Sequence, residues 1–137
     1  MPKETIAILP WNPGAVGVQQ MAGKSIDHAV ADNAASVGEV EIFVLPAGAV
    51  VQQVLVDVTE AFNASANTLT VGWDAERDNL VSAGSSVNLT SAGLKVPVIT
   101  PARASADVTV YAKYSQAGDP EANAGAATVM VVYTRTK

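Results

Sequence analysis

The sequence predicts an all-β protein: a jelly-roll-like antiparallel β-sandwich with an extended N-terminal arm. Three observations carry this. From residue 39 onward, apolar residues recur at every second position in short segments. Turn formers (Pro, Gly, Asn and Asp) punctuate those segments. The hydrophobic fraction is 49% with only 5% aromatic residues, so the apolar content is mostly Ala and Val, and small β-branched side chains suit closely packed strands. Several such strands with no strong helical period argue a sandwich. At 137 residues one domain is the default, and it buries a core without disulfides. The division reads as 1–38, arm and loops, and 39–137, sandwich.

The elements follow in order. ETIAILPW (residues 4–11) has the pattern of a short strand over 5–9. PWNPGAVGVQQMAGK then breaks any period with Pro10, Pro13, Gly14, Gly17 and Gly23. The small, polar SIDHAVADNAASVGE completes a region of arm or long loops. Its alternative is a short helix over 25–35, with Ser25 as the cap. EVEIFVL (39–45) reads as a strand with Val40, Ile42 and Val44 inward and Glu39, Glu41 and Phe43 outward. Pro46-Ala47-Gly48 turns the chain. Residues 50–59 form the next strand, with Val54, Val56 and Val58 on one face and Gln53, Leu55 and Asp57 on the other. A polar loop over 63–67 leads to a strand over 68–73. Residues 76–82 have the composition of one helical turn, and 87–89 and 94–99 of short strands. Val108, Val110 and Ala112 alternate with Asp107, Thr109, Tyr111 and Lys113. SQAGDPEANAG (115–125) reads as a long polar hairpin loop, and 126–134 as the last strand.

The chemistry is sparse. Cys is absent, which excludes thiolate nucleophiles and thiolate metal sites. His28 is the single histidine. Ser25, Asp27 and His28 invite a triad, but sequence neighbours on a strand point apart and a triad must converge. No paired-His spacing suits zinc. Asp74, Glu76 and Asp78 alternate in a loop as calcium ligands would. That loop lacks the glycine and terminal bidentate Glu of an EF-hand, and Arg77 supplies a counter-charge, so a solvated acidic loop is the favoured reading. Asp119-Pro120-Glu121 reads the same way. Gly14 to Gly17 has no strand–glycine–helix context for phosphate. The sequons at Asn63 and Asn88 read as chance matches, since the N-terminal apolar patch is too short for a secretory signal. The chain is thus expected to need no cofactor and no metal, and not to be an enzyme.

Net charge is −5 with no basic stripe for phosphates, so no nucleic acid is expected as partner. No apolar run spans a bilayer, so no membrane is expected either. Trp11, between prolines, has the character of an interface anchor, and Trp73 that of a core-edge cover.

Three segments carry a resemblance: LPAGAVVQQVLVDVTEAFN (45–63), TLTVGWDAERDNLVSA (68–83) and AGAATVMVVYTRT (124–136). Together they resemble small all-β capsid decoration (cement) proteins of tailed double-stranded-DNA bacteriophages. Residues 45–58, 68–72 and 125–133 match, within the last two-thirds of the chain. The resemblance implies a structural virion protein, made in the host bacterial cytoplasm and bound to the outer capsid surface. Its partners would be the major capsid protein and itself, as a homotrimer. The competing reading is a carbohydrate- or receptor-binding sandwich of a phage fibre or tail, with Trp11, Trp73 and the tyrosines as its aromatic platform. In the arm, Ile6 and Ile8 alternate before Pro10 and Trp11, the pattern of an added edge strand with an anchor. Ile6, Ile8 and Trp11 are therefore the expected partner-binding residues.

Overall fold

The computed structural model describes residues 18–30, 37–83, 87–117 and 123–135. Eight strands form two antiparallel sheets: β1 Gln19–Asp27, β2 Val37–Leu45, β3 Ala49–Glu60, β4 Ala66–Gly72, β5 Gly93–Lys95, β6 Ala102–Arg103, β7 Val108–Ala117 and β8 Ala126–Arg135. One sheet has the order β1-β8-β3-β5, with β6 also paired to β3. The other has the order β2-β7-β4.

The core lies between them, and the alternation of the sequence builds it. In β3, Val51, Val54, Val56 and Val58 are buried; in β8, Ala127, Val129, Val131 and Tyr133; in β7, Val110, Ala112 and Tyr114. Full burial of each Val contributes roughly 1.5–3 kcal/mol, so the small side chains compensate by number. Two aromatic pairs fill the ends. Phe43 lies 5.1 Å from Tyr133 and Phe62 4.8 Å from Tyr114, centroid to centroid. Tyr114 donates its hydroxyl proton to Asn67 Oδ1 at 2.6 Å. The buried Tyr133 hydroxyl has no partner among the described residues. Gly125 sits at φ +140°, with Phe62 where a Cβ would project. Only glycine takes that conformation and that contact without strain.

Five expectations need correction. Residues 19–27, read as arm and loop, form β1 and pair with β8 over nine positions, from Gln19 opposite Thr134 to Asp27 opposite Ala126. The alternative helix over 25–35 is also not formed where the chain is described: Ser25 to Asp27 are strand and His28–Val30 is a single 3-10 turn. In β2 the face assignment holds through the buried Ile42 and fails beyond it. A bulge between Glu41 and Phe43 inserts Ile42, so Phe43 comes opposite the inward Val110 and Val44 opposite Thr109. One extra residue reverses every later side chain, so Phe43 packs on the core and Val44 is 53% exposed. Residues 76–82 form no helical turn but a hydrogen-bonded loop closed by a Val71–Val81 bridge. Finally, 87–89 is not a strand, and 94–99 pairs only through residue 95, beyond which Pro97 lacks the N–H a ladder needs.

Candidate docking surface

Cross-strand partners share a face, so the register shows what each sheet turns away from the core. On the five-stranded sheet, Met21 lies opposite Val132, Gly23 opposite Met130, Met130 opposite Leu55, and Leu94 opposite Asp57. A Cβ on Gly23 would stand 3.2 Å from Met130 Cγ, so the absent side chain leaves the room into which Met130 extends. These residues form an apolar strip within an outward row that also carries Gln19, Gln52, Gln53, Asp57, Thr128 and Thr134. Beside it runs the edge beyond β3, where Leu94, Val96 and Val98 are 60%, 53% and 88% exposed. No other strand pairs with β5 among the described residues.

The three-stranded sheet presents a different outer face. Glu39 lies opposite Lys113, and Glu41 opposite Tyr111. The loop after β4 folds against it. Arg77 donates from Nε to Glu39 Oε2 at 3.2 Å, and its guanidinium carbon stands 3.8 Å over the Tyr111 ring. Arg77 adopts φ +58°, the left-handed region, held there by these contacts and by a bond from Nη1 to the Asp74 carbonyl at 3.0 Å. Asn79 Oδ1 accepts from the N–H of Trp73 and Asp74, and Asp74 Oδ1 accepts from the N–H of Asp78 at 2.8 Å. Burial works against the Asp74 carboxylate, but the N–H groups of Asp78 and Asn79 outweigh it and hold its pKa below the ordinary value. The Asp78 pKa is raised by its side-chain hydrogen bond with Asp74, then by desolvation and by the negative charges of Asp74 and Glu76. The loop satisfies itself, and among the described residues no three His, Cys, Asp or Glu groups converge as metal ligands would.

The other singled-out residues have separate duties. Ser25 is exposed on β1, Asp27 Oδ1 accepts from Ala29 N–H at 3.0 Å, and His28 bonds through its backbone N–H and Nδ1 to the Gly125 carbonyl. Asn63 ties down the last hairpin through Asn123 and Ala124. Asn88 Oδ1 accepts from the backbone and hydroxyl of Thr90. Trp73 is half-buried against the core, so it offers little of an exposed platform. Ile6, Ile8 and Trp11, the residues 14–17 and Asp119-Pro120-Glu121 lie outside the described residues. Sequence reasoning missed the outer apolar face itself. Its signal was that Met130 and Val132 stand between Thr128 and Thr134 in the outward set of 126–134.

This architecture has known counterparts. The chain shares its fold with chains of two bacteriophage capsid structures. One is the cyanophage Pam1 capsid asymmetric unit, with a TM-score of 0.64 and 18% identity, covering 98% of this chain and 99% of that one. The other is the acid-stable capsid structure of Helicobacter pylori bacteriophage KHP30, with a TM-score of 0.60 and 19% identity, covering 90% and 92%. No protein-family model matches the chain, and no curated protein sequence does.

Proposed function

We propose that this chain is a capsid decoration protein. It binds the outside of a tailed-phage head and reinforces the contacts between capsomers. One observation carries the reading: in both capsid structures the likeness spans nearly the whole of both chains. The likeness is therefore to nearly the whole of each matched chain rather than to a part of it. The exposed Met21, Leu94, Val96 and Val98 support it, because exposed apolar side chains that lie together are a feature of contact surfaces. The strand order, with the first and last strands adjacent and eight strands in two sheets, supports the jelly-roll reading.

In this proposal the protein acts as a homotrimer, since a symmetric assembly multiplies shallow contacts. The N-terminal arm, through Ile6, Ile8 and Trp11, makes the inter-subunit or capsid contact. Loss of an anchor such as Trp11 typically costs about 2 kcal/mol per copy. The test is to mix purified protein with expanded capsids that lack it and to measure co-sedimentation. Full-length protein should bind, and a variant without residues 1–13 should fold normally yet fail to bind. A full-length chain that stays in the supernatant at saturating concentration contradicts the decoration reading. A truncated chain that binds equally well contradicts the arm's part in it.

A further inference from the structure

We propose that the sheet edges of this chain are closed against strand addition by a second copy, and that Lys24 and Pro97 close the two edges of the five-stranded sheet. The inference goes beyond the decoration reading and does not rest on it.

An unpaired strand edge is a row of backbone donors and acceptors on which another strand can add. Two open sheets have four such edges. On the three-stranded sheet, β4 is covered by the chain's own return: Val71 donates to the Val81 carbonyl at 3.1 Å and accepts from the Val81 N–H at 2.9 Å. β2 carries the bulge between Glu41 and Phe43, which twists that edge out of line. The five-stranded sheet ends in β1 on one side and in β5 and β6 on the other, and each side has a different closure.

The β5 side has the composition that most needs one. Residues 96–101, VPVITP, are uncharged, and four of the six are β-branched, as in segments that stack between chains. Leu94, Val96 and Val98 are exposed, while Lys95, Pro97 and Ile99 between them are half-buried. That two-residue period is the mark of an extended chain, yet the segment makes no ladder. Pairing with β3 stops at Lys95 opposite Val56 and resumes at Ala102 opposite Val51. Six residues, 96–101, thus stand against four, 52–55, and the chain bows away from the line of the sheet. Pro97 lies at the start of this bow and has no N–H to give, either to β3 or to an incoming strand.

The β1 side is guarded by charge. Gln20, Ala22, Lys24 and Ile26 lie opposite Tyr133, Val131, Val129 and Ala127, all of them buried in the core. Cross-strand partners share a face, so Lys24 stands on the inner side of the sheet. It is exposed there only because β1 is the last strand. A strand added beyond β1 would extend the core across Lys24 and bury its ammonium group, which is costly without a partner charge. An inward-pointing charge on an edge strand therefore opposes further pairing.

The test uses the full chain with Pro97→Val and Lys24→Val, singly and together. Self-association is measured by sedimentation equilibrium, and amide exchange over 94–100 and 19–27 by mass spectrometry. Each single variant should associate about tenfold more tightly than wild type, with amide exchange slowed at the edge it opens. In the double variant, β1 of one copy can add to the β5 side of the next. Such a head-to-tail contact need not close, so the double variant should grow into open-ended assemblies larger than any wild-type species. Pro97→Thr restores the same N–H with a more polar side chain, and it serves where the valine variant does not stay folded in solution. A single variant that associates and exchanges as wild type does overturns the role of its residue. Tighter association without slowed exchange at the opened edge also overturns the proposal, because it reports side-chain contact rather than a new ladder.

Discussion

The two sheets bury similar inner faces and turn different outer faces to their surroundings. Behind the three-stranded sheet, Glu39, Glu41, Lys113 and the Arg77 loop form a charged surface that meets its own needs: the cation stacks on Tyr111, and Asp74 is hydrogen-bonded within the loop. Behind the five-stranded sheet, Met21, Leu55, Met130, Val132 and Leu94 form an apolar strip flanked by Asp57, Thr128, Thr134 and the hydrogen-bonded Gln19 and Gln52. An antiparallel sheet with one wet face ordinarily alternates apolar-in and polar-out. The charged face follows that rule and needs no partner. The other face departs from it in part, through Met21, Leu55, Met130 and Val132.

The comparison can be broken from either side. The largest effect should come from Gly72→Ala on the loop side. The new Cβ would meet Asn79 Oδ1, and would stand 2.7 Å from the Asn79 nitrogen and 2.9 Å from that of Asp78. Overpacking against backbone should cost about 2–3 kcal/mol in a urea titration while leaving self-association of the folded fraction unchanged. Met130→Asp should show the reverse pattern. Its stability loss should be about 1 kcal/mol, whereas self-association measured by sedimentation equilibrium should weaken about 30-fold, as for a lost anchor. If both variants changed the same quantity, the two faces would not be functionally distinct.

Smaller effects sharpen the picture. Tyr133→Phe removes a buried hydroxyl without a described partner and should be neutral or stabilising by up to about 1 kcal/mol. Glu39→Gln breaks an ion pair whose side chains are 24% and 37% exposed, and after solvent screening it should cost less than about 0.5 kcal/mol. The acidic loop should leave a pH signature. A lowered folded-state pKa for Asp74 contributes stability that is present above its unfolded pKa and lost as pH falls through the folded value. The Tm gap between wild type and Asp74→Asn should therefore be widest above about pH 4 and close in stronger acid. Asp78, with a raised pKa, has the opposite sign: its contribution is present below the unfolded pKa and lost as pH rises through the folded one. Asp78→Asn should thus match or exceed the wild-type Tm at neutral pH. Chelation should leave Tm unchanged, and a drop in EDTA restored by Ca²⁺ would mean that Asp74, Glu76 and Asp78 hold an ion.

Much of this was legible from the sequence, for a physical reason. A strand with one face in the core must alternate, and the two sides of β3 and the alternation of β7 were read directly from that requirement. A separate resemblance, to phage decoration proteins, was carried by the β3, β4 and β8 segments, and the fold shared with chains of two phage capsid structures agrees with it. β1 was not legible, because QQMAGKSID has no apolar period of its own and is held by nine pairings to β8, 107 residues away between Gly23 and Met130. The bulge at Ile42 was hidden for a related reason. The last four residues of EVEIFVL are all apolar, so they fit either face, and only the partner strand reveals the slip.

By itself, the sequence determined an all-β chain of small apolar residues, without thiols or a basic stripe, whose Val-rich segments serve as scaffold. Those are local properties, set by side-chain size, charge and a two-residue period. Only the tertiary structure decided which apolar residues remain uncovered. Leu55 and Met130 are as apolar as their buried neighbours, and Leu94 differs from Leu89 only in which side of the fold it reaches. Burial depends on what the rest of the chain brings alongside. The sheet order places nothing beyond β5 among the described residues, and nothing over the outer row beside it.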